Sequence, residues 1–125
     1  MDYFISLPLP PLTLITAPVT YRIPIHAGTL VLLEIEFPSR CAGLAHVWVT
    51  RGTLQIAPFN PGGTYSGDGR VISINLNLAI DDEPFSLDVW GYNDDDTFSH
   101  TPTVRVNVKE NGPGSMAAAL LALPS

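Results

Sequence analysis

Between Arg70 and Val108 the chain alternates apolar and polar residues one for one in three successive runs. Ile72, Ile74, Leu76, Leu78 and Ile80 fall on one side of the first run, with Ser73, Asn75 and Asn77 on the other. In the second run Phe85, Leu87 and Val89 alternate with Ser86, Asp88 and Trp90. In the third, Val104, Val106 and Val108 alternate with Thr103, Arg105, Asn107 and Lys109. A helix brings together positions three and four apart, and here that spacing would mix Ile with Asn. Period-two alternation in β-branched and aromatic residues, broken by Asp-Asp, Pro and Asn-Asp turns, specifies half-buried antiparallel strands.

The upstream chain repeats the pattern. Val19–His26 is a strand with Tyr21, Ile23 and Ile25 inward, and Pro24 within it assigns it to a sheet edge or a bulge. Thr29–Phe37 is a central strand with Val31, Leu33, Ile35 and Phe37 inward; Leu30, Leu32, Glu34 and Glu36 lie on its other face. Leu44–Thr50 and Thr53–Ala57 form a further pair, closed by Arg51-Gly52. Eight or so short strands joined by Gly-, Pro- and Asn-rich turns, with no supported long helix, specify an all-β fold: a single β-sandwich of jelly-roll or Greek-key type. The sequence divides into an extended apolar arm (1–18), the sandwich (19–109) and a connector with a short apolar tail (110–125).

Charge narrows the classes of function. Six Lys and Arg against twelve Asp and Glu give a net charge of −6, the wrong sign for a general phosphate-binding surface, so no nucleic-acid partner is expected. Charged residues make up only 14% of the 125 residues, against roughly 25% in an ordinary soluble domain. Such a surface is coated with uncharged polar residues or covered by other subunits. Cys41 stands alone and is expected as a small filler rather than a nucleophile. No run reaches the length of a membrane span, and Met1–Ile15 lacks the basic leader of a signal peptide. No membrane partner is expected.

The arm combines Pro8, Pro10, Pro11 and Pro18 with Tyr3, Phe4, Ile5, Leu7, Leu9, Leu12, Leu14 and Ile15. The prolines disfavour a helix and a central strand, although Leu12–Thr16 could add an edge strand. So apolar a segment either packs along its own domain or lies on a neighbouring subunit. The expectation carried forward is the second, with those eight side chains at an interface and the domain folding without them. Trp48 and Trp90 are the other interface candidates. The apolar run Met116–Leu123 at the far end is too short to be a stable helix without something to pack on.

No catalytic constellation stands out, and the chain is expected not to be an enzyme. Asn93, Asp94, Asp95, Asp96 and His100 are weak candidates for a cation site, since hard cations prefer oxygen ligands. Three contiguous aspartates lack calcium-loop spacing, however, and an Asx-stabilised turn accounts for them. The histidines His26, His46 and His100 have no ligand-like local spacing. The glycines of Pro58–Gly69 lack the basic residue and following helix of a phosphate loop. Neither metal nor cofactor is expected. Trp48, Trp90, Tyr92, Tyr65 and Phe59 could form a sugar-stacking platform.

IPIHAGTLVLLEIEFPSRCAGLAHVWV, the QIAPFNPGG loop, GDGRVISINL and DVWGYNDDDTFSHTPTVRVNV together resemble the small β-sandwich decoration, or cement, proteins of tailed bacteriophages. The likeness spans about two thirds of the chain and lies in style and turn placement rather than in a diagnostic motif. It implies a structural, assembly-stabilising virion protein that decorates or cements a viral capsid. Such a protein is a homo-oligomer, a trimer being favoured, with a major capsid protein as partner. The alternative is a carbohydrate- or receptor-binding β-sandwich module.

Overall fold

The computed structural model describes residues 1–110, and the apolar tail Met116–Leu123 lies outside them. Nine strands occur among the described residues: β1 (Asp2–Ser6), β2 (Val19–Pro24), β3 (Gly28–Phe37), β4 (Ala45–Arg51), β5 (Leu54–Ala57), β6 (Tyr65–Ser66), β7 (Arg70–Ile80), β8 (Ser86–Asn93) and β9 (Thr103–Lys109). They form two packed antiparallel sheets, one ordered β1-β9-β3-β7 and the other β2-β8-β4-β5, with β6 beside β4. The pairings nest. β4 pairs with β5, β3 with β7, β2 with β8 and β1 with β9, as in one long hairpin folded at its middle. Rolling that hairpin brings β9 against β3 and β8 against β4, which closes each sheet.

Alternation selects the faces. Val104, Val106 and Val108 of β9 and Leu33, Ile35 and Phe37 of β3 meet Val47, Val49, Leu87 and Val89 of the second sheet in one core. Strand β3 departs from strict alternation. Its register slips between Leu30 and Leu32 against both neighbours, which turns Leu30 into the core and leaves Val31 and Leu32 half-buried. Counting by twos from Phe37 puts Val31 inside, where this irregularity leaves it half-buried by re-aiming side chains as bulges do. Tyr21, also expected inward, is 41% exposed on the edge strand β2, whereas Ile23 and Ile25 are buried.

Strand β1 is the main departure from expectation. The arm lies on its own domain. β1 pairs with β9 from Asp2 opposite Asn107 to Ser6 opposite Thr103. The Leu7 amide then donates to the Pro102 carbonyl at 2.8 Å, and Leu9 exchanges two backbone bonds with His100. Pro8 falls between these donors and Pro10 directly after them, where no N–H is called for, so the prolines that argue against a strand are compatible with this edge. Leu7 and Leu9, expected at a subunit interface, are 0% exposed in their own core. Leu12–Thr16 contributes only an isolated bridge, Thr13 to Asn93.

Gly91, in the middle of β8, makes room for this packing. A Cβ there would stand 2.7 Å from Leu7 Cδ2, 2.9 Å from Leu9 Cδ2 and 3.1 Å from the His46 carbonyl oxygen. Gly91→Ala should therefore cost about 1–3 kcal/mol through overpacking. Leu7→Ala should cost ~2–5 kcal/mol through the cavity it leaves. Deleting residues 1–16 should lower the melting temperature equally at every protein concentration. Circular-dichroism melts across a dilution series check all three, and a deletion variant melting like the full chain would refute the arm's place in the core.

Candidate functional site

Two arrangements concentrate chemistry. The first is the β8–β9 connection, where the acidic cluster lies. Asn93 is 1% exposed and accepts the Asp95 amide on Oδ1 at 2.9 Å, an Asx turn. Asp95 Oδ1 accepts the amides of Thr97 (2.9 Å) and Phe98 (3.2 Å), and Oδ2 lies 2.8 Å from His100 Nε2. The Thr97 amide, His100 and the Phe98 amide, in that order, hold the Asp95 carboxyl below its ordinary value of 3.8. The other two acids point elsewhere: Asp94 lies 3.3 Å from His46 Nε2, and Asp96 accepts the Thr97 hydroxyl. No group of three metal-ligating side chains converges among the described residues.

Beside this connection runs a cleft of about 660 Å³ between the β3–β4 loop and residues 95–101. Arg40 (φ 79°) and Ala42 (φ 52°) on its wall hold left-handed backbone conformations that side chains disfavour. Cys41 between them is fully buried, and burial pushes its thiol pKa up, away from the thiolate a nucleophile needs. Ser39 and Ser99 line the same cleft, but no serine hydroxyl bonds His100 among the described residues.

The second arrangement is the outer face of the five-stranded sheet. On β4 and β8, His46 stands opposite Tyr92 and Trp48 opposite Trp90. The His46 and Tyr92 rings stack at 4.4 Å and 8°, Trp48 and Trp90 lie parallel at 6.0 Å and 7°, and Trp48 meets Tyr92 edge-on at 6.1 Å. Trp90 Nε1 donates to Thr50 Oγ1 at 2.8 Å, so the indole is anchored at its polar atom. Charge borders the four rings at both ends: the Arg22–Asp88 pair at 2.9 Å at one, and Asp94, 3.3 Å from His46 Nε2, at the other. The result is a half-buried aromatic centre with a polar rim.

The expected site residues thus separate. Trp48, Trp90 and Tyr92 share one face. Tyr65 packs against the core instead, and Phe59 projects from its loop. Of the arm residues, Tyr3 and Ile5 pack against the core, while Phe4 (73% exposed), Leu12, Leu14 and Ile15 face outward. His46, which alternation places on the same face as Trp48 and opposite Val47 and Val49, joins the aromatic row. No family model matches the chain, and no curated protein matches it.

The Asp95 geometry sets a pH dependence. A carboxyl held below its ordinary value binds fewer protons folded than unfolded, so its contribution is full above about 3.8 and lost as pH falls through the lower folded value. Asp95→Asn should therefore melt below the parent at pH 7, and the gap should narrow by pH 3. A gap independent of pH would mean that Asp95 carries no ionised hydrogen-bonding role.

Proposed function

We propose that this chain is a non-catalytic structural protein that works by assembly: a jelly-roll subunit that decorates or cements a viral capsid as a homo-oligomer, with a major capsid protein as partner. The observation that carries the proposal is the nested pairing of β4–β5, β3–β7, β2–β8 and β1–β9, rolled into two sheets. That order supports a jelly roll, an architecture found in viral capsid and lectin domains. The faces of the sandwich point the same way. The outer face of the four-stranded sheet carries Asp2, Glu34, Glu36 and Arg105 around the exposed Phe4 and Val71, with an exposed Glu36–Arg105 pair at 3.3 Å, and is the more charged of the two. The opposite face carries the Trp48–Trp90–Tyr92–His46 row, with the aromatic centre and polar rim of a protein interface.

A second reading, carbohydrate or receptor binding, is favoured by the same row, because aromatic rings beside hydrogen-bonding rims also stack on sugars. Light scattering at micromolar concentration separates the two. Assembly requires a mass well above the 13.5 kDa of one chain, with the trimer as the leading state. Trp48→Ala and Trp90→Ala should each retain the native circular-dichroism spectrum and weaken association by roughly 30-fold, the equivalent of a 2 kcal/mol hot spot. A monomeric parent would remove the assembly reading. Glycan retention lost in Trp48→Ala, with no change in mass, would put the carbohydrate reading in its place.

A further inference from the structure

We propose that β7 is an assembly edge that pairs antiparallel with β7 of a second copy across a two-fold axis. The inference rests on the self-association put forward above and assigns it a strand and a register.

The sheet edges differ in how they are protected. β1 has five residues, β5 four and β6 two, and β2 carries Arg22 and Pro24. Shortness, charge and proline are the usual means of keeping an edge from pairing with another chain. β7 is neither short nor interrupted by proline, and its charge is confined to its first residue. It runs eleven residues, Arg70–Ile80, at the end of the β1-β9-β3-β7 order, with Arg70 as its one charge and no proline. Fully extended, it offers about 36 Å of backbone donors and acceptors on its free side. Opposite Leu30–Leu32 of β3 the paired stretch of β7 runs from Leu78 to Asn75, one residue longer, so β7 carries an irregularity at Leu76 and Asn77, yet its half-buried and exposed residues still alternate from Val71 to Ala79.

The aliphatic row is also incompletely covered. Ile72, Ile74, Leu76 and Leu78 pack against the core yet stay half-exposed. A strand laid alongside would cover that row laterally, as cross-strand aliphatic pairs do.

The occupant follows from charge. Arg70 opens β7 and has no carboxylate partner among the described residues, while Asp81, Asp82 and Glu83 follow its end. Parallel copies would set like charge beside like. Antiparallel copies set Arg70 of each against the acidic turn of the other. Faces must match as well, so even-numbered residues must meet even-numbered residues. The register with Leu76 opposite Leu76 satisfies both conditions: Ile74 faces Leu78, Ile72 faces Ile80, and Arg70 faces Asp82, whose largely exposed carboxylate also lies 3.3 Å from Arg51 of its own chain. The contact is isologous and closes as a dimer. It leaves the aromatic face of the other sheet free, so a shell or trimer contact made there is compatible with it.

Leu76→Cys in the full chain tests the register directly, because only a two-fold at Leu76 brings residue 76 to itself. Mild oxidation should give a disulfide-linked dimer, mapped to position 76 by peptide mass spectrometry, while Arg70→Cys should give none. Arg70→Asp should lower the dimer fraction at least several-fold in sedimentation, and Arg70→Asp with Asp82→Arg should restore it. A monomeric parent, or an oligomer that Leu76→Cys does not cross-link and Arg70→Asp does not weaken, overturns the proposal. Failure of the capsid reading looks different: the β7 dimer forms, and Trp48→Ala leaves every assembly unchanged.

Discussion

The side-chain amide of Asn93 ties together parts of the chain that are otherwise far apart in sequence. Its Nδ2 lies within hydrogen-bond distance of the carbonyls of Leu9 (3.1 Å), Pro10 (3.3 Å) and Phe98 (3.0 Å), while its own amide donates to the Thr13 carbonyl (2.9 Å). The arm needs such a partner. A proline-rich segment has carbonyls to satisfy and few amides of its own with which to build a ladder, so its acceptors must be met from outside. An amide supplies both donors and an acceptor at one buried point, and the acceptor simultaneously sets the Asp95 turn. The Leu9 carbonyl also accepts the His100 amide and the Pro10 carbonyl the Thr13 hydroxyl, so Asn93 adds a second donor to the arm's acceptors and links them to Phe98. The arm, the end of β8 and the β8–β9 connection therefore form one unit, which makes the acidic cluster structural first.

The same unit explains why a chain with so little charge is not simply apolar outside. Its charges are grouped. Three arginines are used in pairs, Arg22–Asp88, Arg51–Asp82 and Arg105–Glu36, and the acidic excess gathers at the strand ends. The Arg105–Glu36 pair, exposed on both sides, contributes at most about 1 kcal/mol, whereas Arg22–Asp88 and Arg51–Asp82 each have one covered partner. Their effect is on where the surface is wet. The outer face of the four-stranded sheet takes charge along β1, β3 and β9, whereas the five-stranded sheet confines it to the two ends of the aromatic row. That asymmetry, rather than total composition, distinguishes the two faces.

Much of this was legible in the sequence because alternation reports burial directly. The β-sandwich and the positions of β2–β5 and β7–β9 follow from apolar rows spaced by two. The Asx turn follows from Asn-Asp chemistry. The rest depended on contacts between distant residues. Tyr3, Ile5, Leu7 and Leu9 are themselves spaced by two, but Pro8 between them and Pro10 and Pro11 beyond outweigh that signal unless the free amides are known to lie at the alternate positions. The slip at Leu30/Leu32 is visible in sequence only as an apolar pair on the wrong face. The stacking of His46 on Tyr92 depends on the β4–β8 register, which periodicity cannot supply. Gly91 carries no mark at all, since its role is to leave space for side chains more than eighty residues away.

Edge management and face composition then act as two separate controls on how such a sandwich meets others. Backbone pairing at an open edge fixes direction and register but discriminates weakly among partners, because every strand presents the same donors and acceptors. Side chains provide the discrimination: on β7, a cation at one end and acids beyond the other make the strand complementary to itself only when reversed. The aromatic face works differently. Its rings are anchored by Thr50 and by mutual stacking, so little rotamer freedom is lost when a partner covers them. A lattice needs contacts of more than one symmetry, and a self-complementary edge supplies only the two-fold. A second, pre-ordered surface on the opposite sheet supplies another direction without competing for the same strand.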